Sequence, residues 1–292
     1  MNSNIRSKQT IIIGAILLLV AFLFTRDIKG LVKPTEENGK MPASGPMAGS
    51  QAPPAGSISI TQASEAAKNV INKSLAKDIT ILENSYQNAK GAEKIELAKQ
   101  LAQKWDDVEQ ITPSALYLEV VAEGNPSSTS WLASGNKFLR AFESTQDSLA
   151  QPALLQKANT SFKNALEKDA TNIDAKTGLG VTIVNGLGAP MQGIAMLLEV
   201  VAKEPKNVKA NMNLGLFSIK SGQFDKAIPR FNTVIAEAPT PEAYFYLATA
   251  LENLGKNKEA VDAYLKSKKL AANPTLSSFI DKKVAELKNK IN

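Results

Sequence analysis

Between Asn211 and Pro274 the chain says nearly the same thing twice, one copy displaced from the other by 33 residues. Leu214-Gly215 falls on Leu247-Ala248, Gly222 on Gly255, Ala227 on Ala260 and Phe231 on Tyr264. A repeat of this length, with small residues at fixed points and large apolar ones between them, confines the fold to stacked helical hairpins. No single hairpin can hide its apolar face, so several must pile up. Such an array offers a surface for binding and carries no chemistry of its own.

Earlier segments repeat the pattern with less fidelity. Trp131-x2-Ser134-Gly135-x2-Phe138 is followed by Ala158-x3-Phe162, with about eleven extra residues near Glu143–Gln151. A second unit holds Leu179-Gly180, Gly193, Leu197, Val200 and Pro205. The third has Leu214-Gly215, Gly222, Ala227-x3-Phe231 and Pro239, and the fourth Tyr244-x2-Leu247-Ala248, Gly255 and Ala260-x3-Tyr264. These units resemble the tetratricopeptide repeat, whose pattern is W-x2-L-G-x2-Y, then A-x3-F, then P. Ser134 stands where that pattern has Leu. The resemblance implies an all-α fold, a right-handed superhelical α-solenoid of helical hairpins, that binds other proteins without catalysis.

In that family the first helices of successive repeats line a concave groove, with positions two, five, nine and twelve pointing into it. Carried onto this chain, the resemblance gives Leu132, Asn136 and Leu139, then Thr177, Val181 and Val184. The third unit gives Lys209, Met212, Leu216 and Ile219, and the fourth Phe245, Thr249 and Glu252. Arg140, Lys209 and Lys220 edge this mostly apolar surface. It suits an amphipathic helix or a hydrophobic peptide, with flexible Met212 adapting to it. Only Asn136 matches the family's clamp for peptide carboxylates, so no clamp is expected.

Ahead of the repeats stands Ile11–Phe24, fourteen apolar positions without a charge. Arg6 and Lys8 precede it, and Arg26, Lys29 and Lys33 follow. Fourteen helical residues rise about 21 Å against a hydrocarbon core of roughly 30 Å. Thr10, Thr25 and snorkelling flanks make up much of the difference. The rival reading is a signal peptide, but Thr25-Arg26-Asp27-Ile28-Lys29 is a poor cleavage site. The expectation is a single transmembrane helix in the inner membrane of a bacterium, with the C-terminal domain in the periplasm and the membrane reached through residues 10–25.

The organisation expected is a tail (1–9), the anchor with its flank (10–33), and a disordered Pro/Gly/Ala/Ser-rich linker (34–60). A helical region with a degenerate repeat (61–126), the repeats proper (127–274) and a capping helix (275–292) follow. In the first helical region Thr61 is the expected N-cap of one helix running to Gly91, with Ala67, Val70, Ile71, Leu75, Ile79, Leu82 and Tyr86 as its apolar stripe. A second helix is expected over Ala92–Val108, and Pro113 opens a third. The capping helix turns Phe279, Val284 and Leu287 inward.

Composition narrows the function. The chain has no cysteine and no histidine, which removes disulfides, Cys/His zinc sites, cysteine nucleophiles and the Ser-His-Asp triad. Residues 61–292 hold 28 Lys/Arg against 25 Asp/Glu, which is no basic stripe for nucleic acid. The nine Lys and four acids from Lys256 onward read as solvated helix faces. Gly186-Leu187-Gly188-Ala189-Pro190 lacks the Gly-Lys-Ser/Thr of a phosphate loop and reads as a turn before a helix. Asp106, Asp107 and Glu109 read as a solvated face, not a cation site. No catalytic, metal or cofactor residue, no small-molecule substrate and no nucleic-acid partner is assigned. The remaining alternatives are a secreted solenoid freed by signal cleavage and an enzyme housed in 61–126.

Overall fold

The structure is a computed structural model that describes residues 58–188 and 190–291. The tail, the apolar run Ile11–Phe24 and the expected linker up to residue 57 lie outside the described residues. Among the described residues there are thirteen α-helices and no strand. None of these helices is long and apolar enough to cross a membrane.

The helices are α1 (Ile60–Lys68), α2 (Lys73–Asn88), α3 (Gly91–Asp107), α4 (Ile111–Gly124), α5 (Ser128–Ser144), α6 (Gln151–Lys168) and α7 (Ile173–Val184). Then come α8 (Pro190–Lys203), α9 (Val208–Lys220), α10 (Phe224–Glu237), α11 (Pro241–Asn253), α12 (Asn257–Leu270) and α13 (Pro274–Ile291). From α3 onward each odd-numbered helix pairs with the next as a hairpin, and each hairpin packs on its neighbours. Polar side chains start the first helices: Ser127, Asn172, Asn207 and Thr240 each accept a backbone N–H from the first turn. Asn273 does the same for α13, so α13 begins as a further repeat would. Gly222 and Gly255 end α9 and α11 at φ of 71° and 72°, a conformation open to glycine at little cost.

Glu109 closes α3 in the same way at φ 57°, and Gln110 N–H returns to the Trp105 carbonyl as Gln223 N–H does to that of Ser218. The degenerate unit therefore keeps the geometry of the repeat while carrying a side chain in the glycine place.

Two expectations for the first region are corrected. The single helix from Thr61 to Gly91 is two helices, because the Asn72 side chain caps Ser74 N–H and restarts the chain. Ser59, not Thr61, caps α1 by accepting from Gln62 N–H. The break turns part of the expected stripe outward, leaving Val70 71% and Leu75 45% exposed. The third helix starts at Ile111, with Pro113 inside its first turn, where no N–H is required.

What fixes the spacing of the hairpins is an aromatic ring laid against glycine. Phe162 of α6 is fully buried between Gly135 of α5 and Gly178 of α7. A Cβ at Gly135 would stand 2.8 Å from Phe162 Cδ1, and one at Gly178 would stand 2.3 Å from its Cζ. Phe231 sits on Gly215 in the same way, with 2.7 Å to a Cβ there. In the last pair Ala248 and Tyr264 take these places, both buried. Ser134, in the place of Leu, is buried and lies 3.2 Å from the buried Ser161 hydroxyl.

Gly178→Ala is expected to cost about 1–3 kcal/mol by overpacking against Phe162. Glu109→Gly is expected to stabilise by up to about 1 kcal/mol through relief of left-handed strain. Urea midpoints followed by circular dichroism check both; equal midpoints for wild type and Gly178→Ala would disprove the ring-on-glycine account.

Candidate functional site

The first helices α5, α7, α9 and α11 present the expected groove residues, but not as one even surface. Over α7 the groove is closed. Ala175 and every residue from Thr177 to Ile183 are buried, so this helix is enclosed on all sides. Thr177 is fully buried with its hydroxyl on the Ile173 carbonyl, Val181 is 1% exposed and Leu139 is 4% exposed. These three are packing residues and not groove residues, a correction to the expectation. Across this stretch Lys209 of α9 donates to Asn136 Oδ1 of α5 at 2.8 Å. Its ammonium also stands 5.8 Å from the Phe162 ring, within cation–π range.

The surroundings of Lys209 shift two groups. Burial lowers the Lys209 ammonium below its ordinary value, while the Asp174 and Glu143 carboxylates oppose that. Desolvation by the surrounding protein raises the Glu143 carboxyl, and the Lys209 charge pulls it partly back. Neither acid was singled out from the sequence. Asp174 was legible, because it precedes Thr177 by three and so holds the second position of its unit, as Lys209 does in the next. Glu143 sits where the insertion lengthens α5, outside the repeat's register.

Past Lys209 the groove opens and becomes apolar. Met212, Leu216, Ile219 and Phe245 are half-buried against the C-terminal core. Phe245 meets Tyr246 at 5.7 Å, Tyr264 at 5.6 Å and Phe279 at 5.9 Å between ring centroids. Phe279 was expected inward; it is 45% exposed, and Ile280 takes the buried place beside Val284 and Leu287. The signal was present, since at the 33-residue displacement Phe279 falls on half-buried Tyr246 while Ile280 falls on buried Leu247.

Thr249 lies between Phe245 and Tyr264, its hydroxyl donating to the Phe245 carbonyl and standing 3.4 Å from the Tyr264 hydroxyl. Glu252 is engaged rather than free: Tyr264 donates to it at 2.8 Å and Lys283 of α13 at 3.0 Å. Burial keeps the Tyr264 hydroxyl protonated, raising it well above its ordinary value. Leu132 is half-buried on the N-terminal core, and Asn136 and Arg140 are exposed at the closed end. Val184 and Lys220 line a separate crevice of about 570 Å³ beside α8.

Residues 61–126 hold one polar cluster, built on Glu83. Ser64 and Tyr117 donate to its Oε1, and Lys68 pairs with its Oε2 at 2.6 Å. Burial lowers Lys68, but its hydrogen bonds to Glu65 and Glu83 outweigh that and raise it overall. A serine nucleophile needs a neighbouring base of depressed pKa, and Lys68 is held as a cation. The cluster ties α1 to α2 and α4.

Sequence comparison reaches the open end of the groove. Residues 219–275 match the tetratricopeptide repeat family. The match covers less than half of the chain. It runs from the end of α9 to the start of α13. No curated protein matches the chain. Among solved structures, PilW, a widely conserved type IV pilus biogenesis factor, is 20% identical over 68% of this chain and 91% of its own, with a TM-score of 0.51. MamA 41-end from Desulfovibrio magneticus RS-1 is 18% identical over 62% of this chain and 97% of its own, TM-score 0.46. YrrB, a repeat protein with an unusual peptide-binding site, is 18% identical over 71% and 97%, TM-score 0.42. The likeness to PilW is one of fold.

A carboxyl raised in the folded state binds protons more tightly there than in the unfolded chain, so stability falls as pH rises through its titration. Glu143→Gln removes this term. The variant is expected to match wild type near pH 4 and to gain in thermal midpoint over it as pH rises to 7. A constant difference across that range, followed by thermal melts, would remove the desolvation of Glu143 as the cause.

Proposed function

We propose that the chain is a non-catalytic scaffold that captures a peptide or amphipathic helix of a partner protein in the open half of its repeat groove. The observation that carries the reading is the row Met212, Leu216, Ile219, Phe245 and Phe279, apolar side chains on successive first helices that internal packing leaves partly uncovered. A helix laid there meets apolar contacts at the spacing of its own i, i+3 and i+7 side chains. Leu132, Asn136, Arg140 and Lys209 form the polar end of the same surface, with Thr249 and Glu252 at its edge.

Residues 10–25 are proposed to hold this scaffold in the inner membrane, with the repeats on the periplasmic side and residues 34–57 as the spacer. The composition of Ile11–Phe24 and its basic flanks supports this part of the reading. Attachment of the repeat array to a bilayer favours a role in assembling or guiding envelope or secreted proteins.

The test is fluorescence anisotropy with a set of amphipathic helical peptides against the full chain in detergent. Phe279→Glu, at an exposed position, and Leu216→Glu are each expected to weaken capture at least tenfold while helicity by circular dichroism stays intact. Capture retained by both variants would refute the groove. Protease accessibility of the repeats in spheroplasts, with and without residues 10–25, tests the anchor and its orientation.

A further inference from the structure

The crevice beside α8 lies off the groove and has its own chemistry. In α8, Gly193 lies against α7, where its Cβ would stand 2.5 Å from the Gly180 carbonyl oxygen. That contact seats α8 on its own hairpin. Its packing on α9 of the next hairpin is sparser than that of α6 on α7, α10 on α11 or α12 on α13. The seam opens into a hollow of about 570 Å³, and Met191, Ile194 and Leu198 of α8 face Phe217 of α9 across it. Ile194 is half-buried on the core, while Met191 is 72% exposed and Leu198 44%, so the outer part of this stripe is left open.

The rim is basic. Lys220, Lys226 and Arg230 line the hollow, and no carboxylate does. None of the three forms an ion pair among the described residues. A second hollow of about 350 Å³ continues from the first and shares Lys226 and Arg230, again without a carboxylate. Arg230 is held in place by a neutral partner: it donates to Oδ1 of Asn211 at 3.1 Å. Asn211 is 1% exposed, and its amide is fixed on the Pro205 and Asn207 carbonyls at 2.9 Å each. The guanidinium is therefore oriented while several of its five donors stay unused. Elsewhere on these repeats, Lys137, Lys157 and Lys176 each meet a carboxylate from another helix.

We propose that this seam is a second docking site, taking a short segment of another protein that carries bulky apolar side chains next to carboxylates. The apolar stripe supplies contact area, and the three cations supply charge complementarity and register. A finite hollow between two hairpins, with its cations at the rim, fits a peptide better than the flat face of an anionic bilayer. The site stands independently of the groove.

The chain has no cysteine, so a single introduced one can be labelled uniquely. The full chain bearing Met191→Cys, labelled with an environment-sensitive dye, is titrated with a synthetic helical Leu/Glu peptide. The same chain labelled at Phe279→Cys reports the groove. The expected result is saturable blue-shifted emission at position 191, whether or not the groove position 279 also responds. Affinity should fall about tenfold for the Leu/Gln version of the peptide and for Lys226→Glu, an exposed change, with Arg230→Gln as a second variant. Response at 279 alone, equal affinity for the Leu/Glu and Leu/Gln peptides, or a response only to phosphatidylglycerol vesicles would each overturn the proposal. Loss of binding at 279 in a groove variant would leave the signal at 191 untouched, so the two sites fail separately.

Discussion

The stack depends on rings that have nowhere to go except against glycine. Phe162 reaches through the space where Gly135 and Gly178 lack side chains, and so sets the separation of α5, α6 and α7 at once. One residue thereby joins a hairpin internally and to its successor. An apolar ring of this size contributes several kcal/mol when fully buried, and any added methyl group in its path must displace it. Phe231 on Gly215 and Tyr264 beside Ala248 repeat the solution further along. Because each hairpin uses the next to finish burying its ring, the array cannot be shortened from within without exposing one.

The same contacts decide what the concave side offers. Where two successive first helices both carry glycine, at Gly135 and Gly178, the ring comes up to the groove floor and Lys209 closes over it. The bridge to Asn136 spans two hairpins, and Thr177 and Val181 are buried in the same stretch. Where alanine replaces glycine, at Ala248, the ring carries a hydroxyl that ends on Glu252 and Thr249. The groove there keeps an aromatic lining with a polar edge, and α13 extends it through Phe279 and Lys283. A single surface is thus split into a polar, bridged end and an open, apolar end.

Within the repeats, helix pairing and the ring-glycine register were readable from Gly215, Phe231, Gly135 and Phe162, because steric exclusion leaves a fixed period in the sequence. The unit at residues 91–124 was readable as a degenerate repeat but not in its turn, since Glu109 hides the left-handed position that glycine marks elsewhere. The break at Asn72 was missed because the apolar stripe runs on across it, and a local cap outweighs periodicity there. Groove residues were read by position alone; Met212 and Phe245 are half-buried, whereas Thr177 and Val181 are buried. Position within a repeat fixes the direction of a side chain. It does not report how closely neighbouring hairpins pack over it, and the Lys209–Asn136 bridge across two hairpins leaves no local trace.

The seam beside α8 follows from the same economy of small residues. Gly180 and Gly193 let α7 and α8 approach until backbone meets backbone, and the gain in that contact is made at the expense of the next one. The packing of α8 on α9 is sparse, and Met191 and Leu198 stand exposed at the gap. Met191, Ile194 and Leu198 are then too apolar to be indifferent to water. The cations on α9 and α10 argue against their being an uncontrolled sticky patch. Lys220, Lys226 and Arg230 repel like surfaces and admit only an occupant that brings carboxylates. An apolar gap left by tight packing on one side, guarded by charge on the other, has the makings of a selective site rather than a defect of the stack.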